Sequence, residues 1–403
     1  MGEFLKVVNY KDAIKLIKDN LPLKKTKTVT LLDSLNHVLA QDVVSTEDIP
    51  AFNRSTVDGY AVKAEDTYGG SESSPQFLDF KGSLQIDQES VIKINSNECL
   101  WIPTGGMLPV GADAVVMVEY TEKLGDDTVL IFKPVSPSEN VIQKGEDVNK
   151  KQTIFTSGIN IKPQDIGVLA SVGITSLQVY EKYKIGIIST GDEIVPIEQK
   201  PELGQIRDIN SYTIASALKK IGNTLRLYPI AKDDYNELKL SIEKALSEND
   251  LLIMSGGSSV GTMDLTLDVL LSFEEAQMLF HGVAVKPGKP TMVVKIGDKI
   301  VIGLPGHPVS ALMMLYILCL PILGVSSINT IEAVIDINLP SQAGRDDFIP
   351  VKLIQTESGT TATPLIGKSG LMTLLSNADG YIHIEAEQQG VIKGELVKVY
   401  KFN

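Results

Sequence analysis

The chain has 403 residues, of which 43% are hydrophobic and 22% are charged, as in ordinary soluble globular proteins with two or more domains. Its formal net charge of -13, from 37 Lys and Arg against 50 Asp and Glu, argues against nucleic-acid binding through a broadly basic surface. The start lacks a signal-peptide core, and the apolar segment Val309–Gly324 is too short for a membrane span. We therefore expect a cytoplasmic protein without membrane contact, whose Cys99 and Cys319 are reduced structural thiols.

The N-terminal part of the chain mixes helical and β-like segments. Tyr10–Asn20 has apolar residues at helical spacing, and a second short helix is expected within Thr28–Val44. The polar segment Pro50–Ala61 carries two aromatic residues between Pro and Gly, which fits either a binding loop or a domain linker. Residues 63 to about 140 are predicted to be β-rich, and Pro163–Val172 is predicted to be a short helix.

From Lys184 onward, predicted strands alternate with predicted helices. The expected strands are Lys184–Ser189, Thr224–Ile230, Leu251–Met254 and Lys299–Leu304, and the expected helices are Ser211–Ile221, Tyr235–Leu246 and one that starts near Val309. This alternation predicts βαβ units and a doubly wound α/β sheet. Ligands of such sheets bind beyond the carboxyl ends of the strands. The polar segments Thr190–Glu193, Ser255–Gly261 and Leu304–Pro308 should therefore converge on one site.

The most informative of these strand ends is Ser255–Gly261, which is rich in glycine and is followed by Asp264. The residues expected to contact a ligand there are Gly256, Gly257, Ser258, Ser259 and Gly261. Their backbone amides and hydroxyl groups can bind a phosphate or another oxyanion, with Asp264 holding Mg²⁺ beside it. A tight strand–helix turn without a ligand is the alternative, because a glycine loop after a strand is a weak signal.

A second candidate for anion binding is the loop Val285–Pro290, which places Lys286 and Lys289 between two prolines and a glycine. A stiff loop with two lysines suits an oxyanion, and a pair of solvated lysines is the alternative. The tail from about residue 331 is β-rich again, so we expect a small all-β domain after the α/β domain.

Taken together, these segments resemble one family, the molybdopterin molybdenumtransferases, which includes MoeA and the gephyrin E domain. The matching motifs are PAFNRSTVDGYA at Pro50–Ala61, PTGG at Pro103–Gly106, GED at Gly145–Asp147, STGDE at Ser189–Glu193, GQIRDINS at Gly204–Ser211, SGGSSVGTMD at Ser255–Asp264, KPGKP at Lys286–Pro290, GLPGHPVSA at Gly303–Ala311 and GR at Gly344–Arg345. They follow the family's order over essentially the whole chain, which makes the resemblance far more specific than one glycine loop.

The resemblance implies a reaction and an architecture. The family takes adenylylated molybdopterin and molybdate, releases AMP with a divalent cation, usually Mg²⁺, and inserts molybdenum at the dithiolene. It forms elongated homodimers, in which the site between the α/β and C-terminal domains is completed by the loop near Asp58 of the partner subunit. The implied domains are residues 1–26 with 178–325 (α/β, molybdopterin-binding), 27–45 with 143–177 (extended linking domain), 46–142 (β-rich) and 326–403 (C-terminal β-barrel).

The resemblance also assigns roles to individual residues. The catalytic acids would be Asp58, Asp147, Glu193, Asp233 and Asp264, of which Glu193 and Asp264 would hold the metal. Whether Asp233 or its neighbour Asp234 is the equivalent residue stays open. Besides the glycine loop, the substrate-binding residues would be Pro305, Gly306, His307, Lys286, Lys289, Arg345 and either Ser369 or Ser376. Molybdate would bind to the two lysines, the arginine and one of the two serines.

The chain departs from the family at two positions. His307 stands where the family usually has Asn, and imidazole can both donate a hydrogen bond and take up a proton. After Arg345 the chain continues Asp346–Pro350, without the further Arg that the family often carries there.

Two other functions compete with the transferase. A molybdopterin adenylyltransferase shares the glycine loop but usually consists of a single α/β domain, and a gephyrin-like scaffold would need no catalysis. Tungstate could also replace molybdate, because the two anions have nearly equal size and charge.

Overall fold

The computed structural model describes residues 7–86, 92–256, 260–324, 329–357 and 359–402, without the side chains of residues 260–264. The chain forms two compact units. The insert unit is Lys25–Glu181, and the core unit combines Met1–Lys24 with Lys182–Asn403. No helix in the described ranges is long and apolar enough to cross a membrane. Cys99 and Cys319 are free and buried, as expected.

The insert unit is built around a sheet of six described strands. Their order is Ala114–Met117, Gly59–Val62, Glu98–Ile102, Gln76–Ser83, Thr128–Ile131 and Thr121–Leu124. Successive residues of a strand face opposite sides of a sheet. Tyr60 and Val62 accordingly pack into one apolar core, and Ala61 packs into another. The β-rich character predicted for this region is confirmed.

A separate apolar core in the insert unit joins Leu39, Val43 and Ile161 with the helix Pro163–Ser171. The paired strands around it are Thr26–Thr30 with Ser176–Tyr180 and Val43–Val44 with Thr153–Phe155. Of the second short helix expected within Thr28–Val44, only a single 3₁₀ turn at Leu32–Ser34 is present, between the end of one strand and the short strand Val43–Val44. Alternating β-branched residues in Thr26–Thr30 favour the extended pairing.

The core unit contains the predicted α/β sheet, here called the central sheet. Its described strands run in the order Thr224–Leu227, Lys184–Thr190, Leu251–Gly256, Lys299–Leu304, Met292–Ile296 and Ala276–His281. The first four strands are parallel, and the last two are antiparallel to their neighbours. The carboxyl ends of Lys184–Thr190, Leu251–Gly256 and Lys299–Leu304 therefore lie at one edge.

Helices cover both faces of the central sheet, which makes it doubly wound as predicted. The longer helices of the core unit are Tyr10–Asn20, Asn210–Lys220, Tyr235–Glu248, Val260–Leu271 and Pro308–Met314, and the last continues through a π-helical turn at Leu315–Cys319 and a short helix at Leu320–Ile322. Ile187 packs with the N-terminal helix on one face, and Ile188 packs with Tyr235–Glu248 on the other. Both faces of the strand Lys184–Thr190 are buried, which explains why its sequence is a nearly continuous apolar run.

The C-terminal part of the core unit is a closed five-stranded barrel. Neighbouring strands around it are Asp346–Thr356, Gly359–Pro364, Thr330–Ile335, Leu396–Lys401 and Gly380–Ile384, and the last pairs again with the first. The short strand Val285–Lys286 pairs in parallel with the first two residues of the barrel strand Asp346–Thr356. The multidomain α/β and β fold class is confirmed, whereas the exact limits of the four implied domains stay a prediction.

Candidate functional site

Asn210 forms hydrogen bonds at the ends of two neighbouring strands of the central sheet. Its side-chain amide donates to Oγ of Ser255, at 2.6 Å, and to the carbonyl oxygen of Gly306, at 2.8 Å. Ser255 lies near the end of Leu251–Gly256, and Gly306 follows Lys299–Leu304. Asp208, Asn210 and Ser211 are each a possible cap of the predicted helix Ser211–Ile221, whereas the structure shows the side-chain amide of Asn210 bonded to Ser255 and Gly306. Its buried amide makes it the link between two strand ends.

A second buried polar contact fixes the third strand end. Asp208 accepts hydrogen bonds from Oγ of Ser189, at 2.8 Å, and from the backbone N–H of Ser211, at 3.1 Å. Ser189 belongs to the strand Lys184–Thr190, and Ser211 lies in the first turn of Asn210–Lys220. A buried carboxylate requires such partners. The pattern of polar residues in Gly204–Ser211 was the available signal, but a single sequence does not reveal these partners.

The glycine-rich segment is described at its two ends. Gly256 has φ of +132°, and a Cβ at this position would lie 2.0 Å from the carbonyl oxygen of Thr190, so only glycine fits. Gly257, Ser258 and Ser259 lie outside the described residues. The loop predicted at Ser255–Gly261 is shorter in the structure, because the helix Val260–Leu271 already contains Gly261 and Asp264. The side chain of Asp264 also lies outside the description.

Acidic residues cluster after the strand Lys184–Thr190. Asp192 and Glu193 follow the strand, and the backbone N–H of Asp233 donates to a carboxylate oxygen of Asp192 at 3.3 Å. Burial, followed by the charges of Asp192 and Glu193, raises the pKa of Asp233. The carboxylate of Asp234 instead accepts from two backbone amides in the first turn of Tyr235–Glu248. Asp233, rather than the helix-capping Asp234, therefore belongs to the acidic cluster.

The predicted metal ligands stay a prediction. Carboxylate oxygens are suitable ligands for Mg²⁺. The negative charges of Asp192 and Glu193 repel that of Asp233, and a bound cation would reduce this repulsion. Among the residues that the structure describes, no group of three His, Cys, Asp or Glu side chains is gathered closely enough to hold a metal. Glu193 is exposed, and its predicted partner Asp264 has no described side chain.

The loop Val285–Pro290, here called the basic loop, is held by the residues that flank it and by the barrel. The hydroxyl group of Thr291 donates to the carbonyl oxygen of Gly288 at 2.8 Å, and the N–H of Val283 donates to that of Lys289 at 2.9 Å. Lys286 lies opposite Asp347 in the paired strands. Lys286 and Lys289 are both exposed, so their ammonium groups are accessible to a ligand.

The structure brings Arg345 next to the basic loop. Arg345 directly precedes the strand Asp346–Thr356, whose first residues pair with Val285–Lys286. Its Nε donates to a carboxylate oxygen of Asp347 at 2.9 Å. The next carboxylate, Asp346, is hydrogen-bonded to Nε2 of His383 at 2.7 Å. The sequence pattern alone did not predict a part for Asp347 in the site.

The segment Leu304–Pro308 meets the C-terminal part of the chain through Ser369. The backbone N–H of Val309 donates to the carbonyl oxygen of Ser369 at 3.0 Å. Pro305 is buried, and His307 is exposed as the residue before the helix Pro308–Met314. Ser376 is exposed at the end of the short helix Thr373–Ser376. The structure thus brings Ser369 to this strand end, and the choice of side chain for an oxyanion stays open.

The predicted motifs of the insert unit meet around the segment Pro50–Ala61. One carboxylate oxygen of Asp58 accepts from the backbone N–H of Thr104 at 2.6 Å and from its hydroxyl group at 2.8 Å. These two bonds lower the pKa of Asp58. Gly145 donates its backbone N–H to the carbonyl oxygen of Pro50 at 3.0 Å, and Asp147, two residues further on, is exposed.

The raised pKa of Asp233 yields a stability test. A carboxyl group whose pKa is raised by folding binds its proton more tightly in the folded state, so the wild type is stabilised as pH falls through that pKa. Asp233→Asn removes the repelled charge. We expect it to raise Tm at pH 7 by about 1–2 °C in calorimetry with EDTA. The gain should vanish below the ordinary Asp pKa.

Asp234→Asn is the matched control, since Asn caps a helix as well as Asp does and should leave Tm nearly unchanged. A lower Tm for Asp233→Asn at pH 7 would contradict the acidic cluster.

Three family models and several relatives match this chain. The models are the MoeA N-terminal region, domains I and II (residues 8–173), a probable molybdopterin-binding domain (186–324) and the MoeA C-terminal region, domain IV (332–402). A putative molybdopterin biosynthesis protein of Methanocaldococcus jannaschii is 36% identical, covering 96% of this chain and 99% of its own. A molybdopterin molybdenumtransferase of Staphylococcus epidermidis is 32% identical, covering 97% and 95%.

A solved structure of the molybdopterin biosynthesis protein MoeA of Pyrococcus horikoshii matches with a TM-score of 0.84 at 31% identity, covering 98% of this chain and all of its own. Matches of this identity over nearly the whole length establish the family. The chain belongs to the MoeA family of molybdopterin molybdenumtransferases.

Proposed function

We propose that this protein takes adenylylated molybdopterin and molybdate, releases AMP and transfers molybdenum to the dithiolene. A role in molybdenum cofactor biosynthesis follows from its family. The observation that carries the finer proposal is the pairing of the basic loop with the strand that follows Arg345. This pairing places Lys286 beside the strand that follows Arg345, and Lys289 lies three residues further along the same loop, in a chain whose net charge is -13.

The chemistry of the anion explains why such a cluster is needed. Molybdate is a doubly charged tetrahedral oxyanion, so its binding requires fixed cations and hydrogen-bond donors. Lys286 and Lys289 are exposed on a loop that is fixed at Gly288 and Lys289, and Arg345 is fixed by Asp347. A pair of merely solvated lysines would not require this support.

The acidic residues support the other half of the reaction. Cleavage of a phosphoanhydride needs the charge on the phosphate oxygens to be neutralised, and Mg²⁺ supplies this when bound. Glu193 and Asp264 would hold the ion, and Asp233 adds charge to the same end of the central sheet. The glycine-rich segment from Gly256 to Gly261 would bind the phosphates.

Two alternative functions fit the chain less well. A single-domain adenylyltransferase would have no barrel, whereas here the barrel pairs with the basic loop. A scaffold would require neither the acidic residues after Lys184–Thr190 nor the basic loop. Purified protein should therefore release AMP from adenylylated molybdopterin when molybdate is added, and it should not adenylylate molybdopterin with ATP.

Asp264→Ala tests the metal proposal. Without this carboxylate, Mg²⁺-dependent AMP release should fall by a factor of about 100 or more, on the scale of losing one essential electrostatic group. The control is Asp268→Ala, which removes an exposed carboxylate one turn further along the same helix and should retain activity. Wild-type turnover by Asp264→Ala would show that the metal is held elsewhere.

Lys289→Ala tests the basic loop. One charge-assisted hydrogen bond contributes about 1.5–3 kcal/mol, so the molybdate concentration needed for half-maximal AMP release should rise roughly tenfold to a hundredfold. Lys244→Ala, on an exposed face of Tyr235–Glu248, removes the same charge far along the chain and should change little. If the molybdate dependence is unchanged in Lys289→Ala, Lys289 is only a solvated lysine and does not bind molybdate. The same titration with tungstate would compare the two anions.

We also propose a homodimer in which Asp58 completes the site of the partner subunit, as in the family resemblance. Inactive Asp58→Ala and Asp264→Ala chains should then regain activity when mixed, because a mixed dimer keeps one intact composite site. Each variant mixed with itself is the control. No recovery after verified subunit exchange would count against a shared site.

A further inference from the structure

We propose that Asp347 is a positioning residue for Arg345, holding its guanidinium group beside the basic loop in the orientation that an oxyanion needs. This inference rests on the proposed oxyanion pocket and adds a residue to it. Asp347 itself does not contact the anion, since both carry negative charge. Its effect is exerted through Arg345.

The contact is short and the two partners differ in exposure. Nε of Arg345 lies 2.9 Å from a carboxylate oxygen of Asp347, whose side chain is 3% exposed, whereas that of Arg345 is 33% exposed. The bond is made by Nε, the guanidinium nitrogen nearest the backbone, and so leaves the two terminal nitrogens available. The two terminal nitrogens, which can bind a tetrahedral anion through parallel hydrogen bonds, are directed by this anchor.

The backbone around Asp347 is fixed on both sides. Asp347 lies opposite Lys286 in the parallel pair and opposite Ile384 in the antiparallel pair, so its strand is interior to the local sheet. An arginine side chain has many rotamers, and ordering it upon ligand binding costs entropy. A buried carboxylate on a rigid strand orders Arg345 before the oxyanion arrives.

The neighbouring carboxylate provides an internal comparison. Asp346 is buried like Asp347, but successive strand residues face opposite sides, and its partner is Nε2 of His383 at 2.7 Å. The His383 ring stacks on Phe348 with centroids 4.4 Å apart. Asp346 is therefore part of an aromatic cluster and makes no described contact with Arg345.

Charge and orientation act in opposite directions in the proposed role. The carboxylate of Asp347 weakens the attraction of Arg345 for an anion, whereas its hydrogen bond orders the guanidinium group. Asp347→Asn separates the two effects, because the amide oxygen still accepts from Nε but carries no charge. Asp347→Ala removes both.

The experiment is calorimetric titration of the full-length protein with molybdate alone, alongside the molybdate KM and kcat for AMP release. Asp347→Ala should weaken molybdate binding about threefold to tenfold, and Asp347→Asn should bind as tightly as the wild type or more tightly. The KM should rise in Asp347→Ala with little change in kcat. In an Arg345→Ala background, Asp347→Ala should no longer weaken binding, because only the repulsion by its charge is left to remove.

Asp346→Ala is the matched control, and any effect that it has should be the same with and without Arg345. If Asp347→Ala does not fold, Asp347→Ser replaces it, since the shorter side chain cannot reach Nε. Wild-type binding by the folded variant, or an equal loss in the Arg345→Ala background, would overturn the positioning role. If Arg345→Ala itself binds molybdate normally, the proposed pocket is wrong and the inference fails with it.

Discussion

The parallel pairing between Val285–Lys286 and the first residues of Asp346–Thr356 is the constraint on which the candidate site depends. The N–H of Asp346 donates to the carbonyl oxygen of Ala284 at 2.9 Å, so this register is set by the backbone. A slip by one residue would turn every side chain to the other face. The pairing therefore determines that Lys286 and Arg345, some sixty residues apart in sequence, belong to one surface.

At the central sheet, too, a regular backbone and a few buried hydrogen bonds together position the candidate site. Parallel strands bring their carboxyl ends to one edge, but the segments that follow them are irregular and need further support. Asn210 and Asp208 provide it with buried hydrogen bonds to Ser255, Gly306 and Ser189. Burying polar groups is costly unless they find partners. Although Oδ1 of Asn210 is buried without a described partner, the bonds made by its amide nitrogen and by Asp208 favour one arrangement of the loops.

Much of the fold could be predicted because its signals are local. The helix Tyr10–Asn20 and the strand Lys299–Leu304 have the predicted limits, and the alternation of strands and helices correctly indicated the doubly wound sheet. The ordered motifs also indicated the family. The helix expected within Thr28–Val44 is only a 3₁₀ turn at Leu32–Ser34, and the residues before it extend to pair with Ser176–Tyr180, a contact distant in sequence.

The parts of the site that escaped prediction depend on contacts distant in sequence. Asn210 and Gly306 are 96 residues apart, and nothing near Asn210 signals this contact. Asp347 differs from the family's usual sequence after Arg345, and nothing in that difference predicts that it anchors Arg345. Asp192 is adjacent to Glu193 in the predicted site, but its contact with Asp233 requires the fold. Tertiary pairing, rather than residue type, gives these side chains their roles.

His307 shows how the fold can accommodate a departure from the family. Asn at such a position would be a good N-cap, but His307 makes no side-chain capping bond to the helix Pro308–Met314. Pro308 has no backbone N–H to satisfy, and the N–H of Val309 is satisfied by the carbonyl oxygen of Ser369. The cap is thus supplied by another segment of the chain. This leaves the exposed imidazole of His307 unconstrained by helix capping, so the helix start does not require Asn at this position.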